Sequence, residues 1–483
     1  MAQTDNLFLL IKTMSKSEKR SFKLMAAKYN NNKEYINLFD TIDKQEEYDE
    51  EIIKKRFKNK KFINQLSVAK NYLFTTIVDS LYESANYDTI RFKLNELIKQ
   101  IEVIKDRGLN ELCIKYIEKA KRYAIQTLSF QEMLKLNRIE YDLGLKNILD
   151  VDIHEINKNY ATTIKNYSNF LDYDYLSRLN YCYNILHIKS EDPLNAETAY
   201  LLNDENLALT FRAKEQLYGI WVYNYLKTSD YEKIYEIYQK IVYNLKAQYG
   251  EMVKEIPSNY CIKLNNLITA SIKVRKFDAV QEHLKELDEI SNLKISTELK
   301  YKIKGFYYCN SINYYYEIGN YTKAIEIFDE FLENIRSLKK YIKRPFIVWA
   351  YIIVVQLYFK TGDYKKSLKY INVILDLKSE IAKPNYLLSR LINLVLHYEL
   401  GDFEYVDAGI DSLRKQFNSE DSVFELLIIS TLRKLINVFD VSEKKEIFKQ
   451  LNAKLSELKG RPSELPKLDF FDFNIWVQKY LKA

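Results

Sequence analysis

The chain has 483 residues, of which 47% are hydrophobic and 29% are charged. This composition is apolar enough to fold and too apolar for a disordered chain. Only 10 Gly and 6 Pro are present, too few for the turns of many short strands or for glycine-rich phosphate loops. The formal net charge is +7, and residues 1–75 hold 15 basic and 10 acidic residues. So modest an excess does not by itself indicate a nucleic-acid binder.

Residues 1–85 are predicted to form a small N-terminal helical module. Ser15-Lys16-Ser17-Glu18 has the form of a helix start, with a capping serine and a glutamate three positions later. Next come a short helix over 48–57, a Lys-rich corner and a second helix over about 62–81. This order resembles a helix-turn-helix, which binds DNA through its second helix. The resemblance implies nucleic-acid contacts by Lys54, Lys55, Lys60, Lys61, Gln65, Lys70 and Asn71.

A plain helical hairpin explains the same charges without DNA. Glu50 to Lys54 and Glu51 to Lys55 are i to i+4 pairs in the favoured orientation. Acids at the start of a helix and bases at its end also suit the helix macrodipole. We therefore favour the hairpin and keep DNA binding as the alternative hypothesis.

Residues 86–215 are predicted to be degenerate helix pairs that lack a clear corner motif. The apolar residues follow a helical period in five stretches, with a loop expected at Ser190–Asn195. The five predicted helices are Arg91–Asp106, Leu109–Ile125, Phe130–Lys146, His154–Tyr167 and Leu171–Ile188.

A repeat becomes visible over residues 216–459. Two copies share three landmarks at an offset of 39 residues, namely Pro345, Gly362 and Tyr364, then Pro384, Gly401 and Phe403. Pro suits the first turn of a helix, Gly suits a left-handed helix end, and the Asp before each aromatic residue can cap the next helix. The corner aromatics are spaced by 46, 44, 43 and 39 residues, a period typical of stacked helix pairs. They are Tyr231, Phe277, Tyr321, Tyr364 and Phe403.

The segment Gly319–Phe328, with the sequence GNYTKAIEIF, resembles the turn and second helix of a tetratricopeptide repeat. Tyr308 and Tyr315 would fall on the aromatic positions of that family. The resemblance covers about Tyr218–Phe417 and implies a right-handed superhelical stack of antiparallel helix pairs, an α-solenoid. The chain departs from the family in its period, which exceeds 34 residues. It also departs where the family has a small residue, with Ile312, Val355 and Leu394.

Residues 460–483 are predicted to cap the array, because a terminal repeat needs a cover for its apolar face. The side chains expected to form this cover are Phe470, Phe471, Phe473 and Trp476. One more helix pair, Val423–Phe439 and Glu443–Leu458, is predicted to precede them.

The sequence contains no motif for catalysis or for a cofactor. No Gly-x-x-x-x-Gly-Lys, Gly-x-Gly-x-x-Gly or Gly-x-Ser-x-Gly motif occurs. The four His and four Cys residues lack metal-ligand spacing. We therefore expect no enzyme activity, no cofactor and no metal. With neither a signal-peptide pattern nor a membrane-spanning stretch, the sequence predicts a soluble cytoplasmic protein that binds no membrane.

The leading functional hypothesis is a non-enzymatic scaffold that binds a protein or peptide partner in the groove of the helical array. Polar and aromatic residues on the first helix of each pair are the candidate contacts, although each could instead pack between repeats. They are Tyr308, Asn313, Tyr351, Tyr386 and Asn393. The alternative is a DNA-binding transcriptional regulator, with the N-terminal module on DNA and the repeats as a sensor.

Overall fold

A computed structural model describes residues 6–30, 33–84, 90–127, 129–145, 152–184, 200–249, 257–293, 295–342, 344–417, 422–461 and 464–482. Within these ranges all regular secondary structure is helical, so the prediction of an all-α protein is confirmed. The chain divides into two compact units, Met1–Lys99 and Gln100–Ala483. Each unit is built from helices that pack mainly on their neighbours in the sequence.

The first unit is a small helical bundle in which α5 contacts α1, α2 and α3. Phe22, Phe39 and Ile77 lie in its fully buried core. The predicted helix start is confirmed, because Ser15 Oγ accepts from the Glu18 backbone N–H while Glu18 accepts from the Ser15 N–H. The helices are α1 (Asn6–Thr13), α2 (Lys16–Asn30), α3 (Lys33–Asp43), α4 (Glu50–Arg56) and α5 (Leu66–Ser84), with a 3-10 turn at Lys61–Gln65.

The boundary between the units falls within α6, and the second unit continues with three more long helices. They are α6 (Ile90–Asp106), α7 (Asn110–Gln126), α8 (Phe130–Leu145) and α9 (Ile153–Asn184). The sequence predicted two helices over 154–188, but α9 is one helix of 32 residues. That prediction was wrong because no Gly or Pro interrupts the stretch, and Phe170 packs its ring on Phe130. The predicted loop at Ser190–Asn195 lies outside the described residues.

Six helix pairs follow between residues 211 and 458. Each helix contacts the next, and the first helices of pairs two and three, three and four, and five and six also contact each other. This pattern is that of helices stacked in sequence order. The pairs are α10 (Phe211–Lys227) with α11 (Tyr231–Tyr249), α12 (Pro257–Lys273) with α13 (Asp278–Ser291), α14 (Thr297–Glu317) with α15 (Tyr321–Tyr341), α16 (Arg344–Lys360) with α17 (Tyr364–Asp376), α18 (Lys383–Glu399) with α19 (Phe403–Arg414), and α20 (Val423–Leu435) with α21 (Val441–Leu458).

The corner inside each of the first five pairs has the same backbone geometry. The residue two before the corner aromatic has a positive φ, between 53° and 82°, at Ser229, Arg275, Gly319, Gly362 and Gly401. In pairs three to five, an Asn or Asp side chain then accepts from the first turn of the second helix. The predicted left-handed glycines and Asp caps are thereby confirmed.

Two short helices complete the described chain, α22 (Leu465–Phe470) and α23 (Phe473–Lys482). Phe471, Phe473 and Trp476 belong to the same buried cluster as the last four pairs, and α23 packs on α21. No described helix combines the length and the apolar character needed to cross a bilayer.

Candidate functional site

The segment of residues 464–482, here the C-terminal segment, lies against side chains from five of the six pairs. Asp469 contacts pairs one and two, Phe471 and Asp472 contact pair four, and Trp476 contacts pairs five and six. The helix pairs therefore already bind one segment of polypeptide, namely their own.

Asp469 makes the polar contacts of this segment with pairs one and two. Its carboxylate accepts from the Tyr231 hydroxyl and lies 3.3 Å from Lys273 Nζ. Burial, and next the Asp469 carboxylate, raises the pKa of Tyr231, so the hydroxyl stays protonated as a donor. The side chains of Lys273 and Asp469 keep 27% and 34% of their exposure. An ion pair of this kind is accessible to water, so another carboxylate can take the place of Asp469.

Trp476 anchors the part of the segment that contacts pairs five and six. Its indole ring is fully buried and its Nε1 donates to Glu399 Oε1 at 2.7 Å. The same carboxylate accepts from Tyr480 and pairs with Lys479, while the Glu399 side chain is 1% exposed. Burial lowers the pKa of Lys479, but Glu399 and Tyr364 outweigh burial and leave this pKa raised. This part of the segment belongs to the core.

A pocket of about 430 Å³ lies beside Asp469, and we call it the Trp349 pocket. It is concave and combines apolar side chains with an equal number of polar ones, and ligand sites join these two kinds of lining. Its apolar lining is Val222, Leu226, Ile234, Ala270, Trp349 and Phe470, and its polar lining is Tyr231, Tyr238, Asn266, Thr269, Lys273 and Asp469.

A connected polar network supports one wall of the Trp349 pocket. Asn310 donates to Asn265 at 2.8 Å, Asn265 donates to Asn266 at 3.0 Å, and Asn266 donates to the Tyr238 hydroxyl at 3.0 Å. Burial raises the pKa of Tyr238, which keeps its proton in place. Within the described residues the hydroxyl hydrogen of Tyr238 has no acceptor, so it is available to a carbonyl or carboxylate oxygen of a ligand.

The structure places the predicted partner-binding residues mainly in the interior. Tyr308, Asn313, Tyr351 and Asn393 are between 2% and 7% exposed. Tyr308 donates to Glu330, and Asn393 donates to Asn372 and accepts from Tyr405. Tyr386 is partly exposed. The burial of four of the five favours the alternative interpretation, in which these residues pack between helices.

Some of the predicted DNA contacts form ion pairs within the first unit, and the others are exposed. Lys54 pairs with Glu50 and Glu51, and the predicted pair of Glu51 with Lys55 does not form. Lys60 pairs with Glu34 at 2.9 Å, and Lys70 contacts Glu50 at 3.3 Å and the Tyr48 hydroxyl at 2.8 Å. The remaining four side chains are exposed, at Lys55, Lys61, Gln65 and Asn71.

Three of the seven predicted contacts thus have their charge balanced inside the first unit. The hydrogen bond from Lys54, and less strongly the one from Lys70, lowers the pKa of Glu50, although burial of the carboxyl group raises it. Glu50 is therefore charged near neutral pH, and these ion pairs persist there. A lysine that already neutralises a carboxylate adds little to the attraction for phosphates.

Two of the four histidines contact neighbouring side chains on the helix pairs. His397 stacks on Tyr405 with a centroid distance of 3.8 Å and contacts Asp402 at 3.0 Å. His283 lies 3.9 Å from Glu286, and burial lowers its pKa. Among the residues that the structure describes, no group of His, Cys, Asp and Glu is arranged to hold a metal ion.

The sequence did not identify Lys273, Tyr238 or Asp469 as site residues. Lys273 carried a signal, because it stands four positions before a corner aromatic, where every one of the first five pairs has a charged residue. Asp469 carried none, because its partner Tyr231 is 238 positions away. Comparisons with protein-family models, with curated proteins and with solved structures found no match to this chain.

Proposed function

We propose that this chain is a non-enzymatic scaffold for protein–protein interaction, and that a segment of a partner protein binds in the Trp349 pocket. The array is proposed to be tetratricopeptide-like, with its pairs stacked as a right-handed superhelix. The observation that carries the proposal is the C-terminal segment, which the same helix pairs hold through aromatic rings and charged side chains.

The pocket supports the proposal because it combines an apolar wall with an unused donor. An apolar side chain of the partner would contact Leu226, Ile234 and Trp349, and a backbone carbonyl beside it would accept from Tyr238. A peptide held by a side-chain anchor and a main-chain hydrogen bond is a common mode of recognition.

A cytoplasmic location is part of the proposal. Cys113, Cys182, Cys261 and Cys309 are all free thiols. Burial raises the pKa of Cys261 and of Cys309 to about 12, so both are unreactive thiols that suit packing rather than catalysis. Unpaired cysteines are typical of a reducing compartment.

An affinity pull-down from the source cell with matched variants tests the function. Leu226→Glu places a charge in the pocket at a side chain that is already 44% exposed, and Leu400→Glu places it at another pair's corner, at a residue 37% exposed. We expect a partner that wild type and Leu400→Glu retain and Leu226→Glu loses. If all three chains retain the same proteins, or none retains any, the proposed function is wrong.

A further inference from the structure

The position four before each corner aromatic carries a charge in the first five pairs. These residues are Lys227, Lys273, Glu317, Lys360 and Glu399, and each is the last residue of the first helix of its pair. The residue at this position that lines the Trp349 pocket is Lys273 of pair two, and the residue of pair one is also a lysine. A segment that binds there meets positive charge first, which favours an acidic ligand.

The C-terminal segment matches this charge order. Asp469 pairs with Lys273, and Lys479 pairs with Glu399. Asp472 and Lys360 line a shared second pocket of about 600 Å³. Opposite charges therefore pair at pairs two and five, so the segment shows which charge these two corners accept.

The contact at pairs one and two differs from the others in being replaceable. Asp469 is one-third exposed, and Phe470 lies in the wall of the Trp349 pocket without filling it. Phe471 and Trp476, by contrast, are buried to 1% and 0% exposure. Lys467 of α22 pairs with the buried carboxylates of Glu425 and Glu464, which keeps α22 on pair six. The exchange therefore involves the partly exposed Asp469 side chain, which can leave Lys273 while the rest of the segment stays bound.

We propose that the Trp349 pocket selects a partner segment in which an acidic residue precedes an aromatic residue, as Asp469 precedes Phe470. The partner carboxylate replaces Asp469 on Tyr231 and Lys273, and its ring enters the apolar part of the pocket. This inference rests on the proposed function and adds the chemistry of the partner segment. Asp469 then competes with the partner carboxylate for Tyr231 and Lys273. A tethered competitor acts at an effective concentration of about a millimolar, so the site is closed to weak ligands.

The test uses the full-length chain and a fluorescent peptide with the sequence of residues 464–473, followed by fluorescence anisotropy. We expect the peptide to bind Asp469→Ala at least about tenfold more tightly than wild type, because the internal competitor is lost. Adding Lys273→Glu should remove this gain, and a peptide with Lys in place of the Asp at position 469 should restore binding to that double variant. Circular dichroism and thermal unfolding establish that each variant is folded.

Two outcomes would overturn the inference. One is equal binding of the peptide to Asp469→Ala with and without Lys273→Glu. The other is no binding of the peptide to a folded Asp469→Ala chain. In either case the pull-down with Leu226→Glu still decides the scaffold function separately, since that variant leaves Lys273 and Asp469 intact.

Discussion

Trp476 donates its indole N–H to Glu399 across 77 positions of sequence, at 2.7 Å. The bond joins α23 to the last turn of α18 and places the largest fully buried side chain of the described structure against a carboxylate. Phe448 meets the same ring edge to face, with centroids 5.0 Å apart. The C-terminal segment is therefore held by the core of the last three pairs.

Truncating Trp476 should weaken the second unit strongly. Trp476→Ala removes a buried ring and leaves a cavity, which costs about 3–5 kcal/mol of unfolding free energy. Trp349→Ala is the control, because that ring is partly exposed at the pocket and should cost less. Urea unfolding monitored by circular dichroism measures both variants, and equal losses would contradict the assigned role of Trp476.

Two glutamates at the same repeat position should differ in their effect on stability. Glu399→Gln leaves Lys479 without its counter-charge and a buried donor poorly paired, which costs about 1–3 kcal/mol. Glu317 stands at the equivalent position of pair three but is exposed, so Glu317→Gln should change stability by less than about 0.5 kcal/mol. Thermal unfolding of the two variants is the measurement. A larger loss for Glu317→Gln would refute this account of the buried carboxylate.

Arg275 occupies the left-handed corner position with φ 60°, where pairs three to five have Gly. A left-handed backbone costs an L-residue about 1–2 kcal/mol, and the entropy of Gly in the unfolded chain offsets part of this. We expect Arg275→Gly to raise the unfolding free energy by about 0.5–1 kcal/mol. Gly362→Ala should lower it by about 1 kcal/mol. Apart from Gly362 and its chain neighbours, no residue has an atom within 4 Å of the added Cβ, so backbone strain is responsible. Chemical denaturation measures both changes, and effects of the same sign would disprove the explanation.

Stability should fall at alkaline pH. Burial raises the pKa of Tyr173 and of Tyr398 from 10.0 to about 12 in the folded chain. A folded-state pKa above the unfolded value stabilises the fold fully below the unfolded pKa, and this contribution is lost as the pH rises towards the folded pKa. Urea titrations should therefore show stability decreasing between pH 10 and 12. Tyr398→Phe should reduce the decrease, and an unchanged slope would argue against Tyr398 as a source.

The first unit should bind duplex DNA weakly or not at all. Lys54, Lys60 and Lys70 already pair with carboxylates, which leaves only Lys55 and Lys61, among the predicted lysine contacts, to release counter-ions from phosphates. A mobility-shift assay at about 50 mM salt checks this. Retention of labelled duplex that is lost in a chain with Lys54, Lys55, Lys60 and Lys61 changed to Glu would instead favour the regulator hypothesis.

Local features of the sequence were sufficient to predict most of the helices and their corners. The fixed φ of Pro384, the left-handed Gly362 and the capping Asp363 act within a few residues of chain, so a pattern in the sequence reports them directly. The prediction of a break in α9 was wrong because an apolar residue such as Phe170 can continue a helix when another helix covers it.

The repeat period determined which helices are neighbours, because each pair has an apolar face that the adjacent pair covers. Only the tertiary structure decided which polar residues remain available. Tyr308 and Asn393 satisfy their hydrogen bonds inside the array, whereas Tyr238 keeps an unused donor beside a pocket. Asp469 reaches Tyr231 and Lys273 because α22 returns to pairs that lie some two hundred residues earlier. Contacts at such separation depend on how all the intervening helices stack, and no local pattern encodes them.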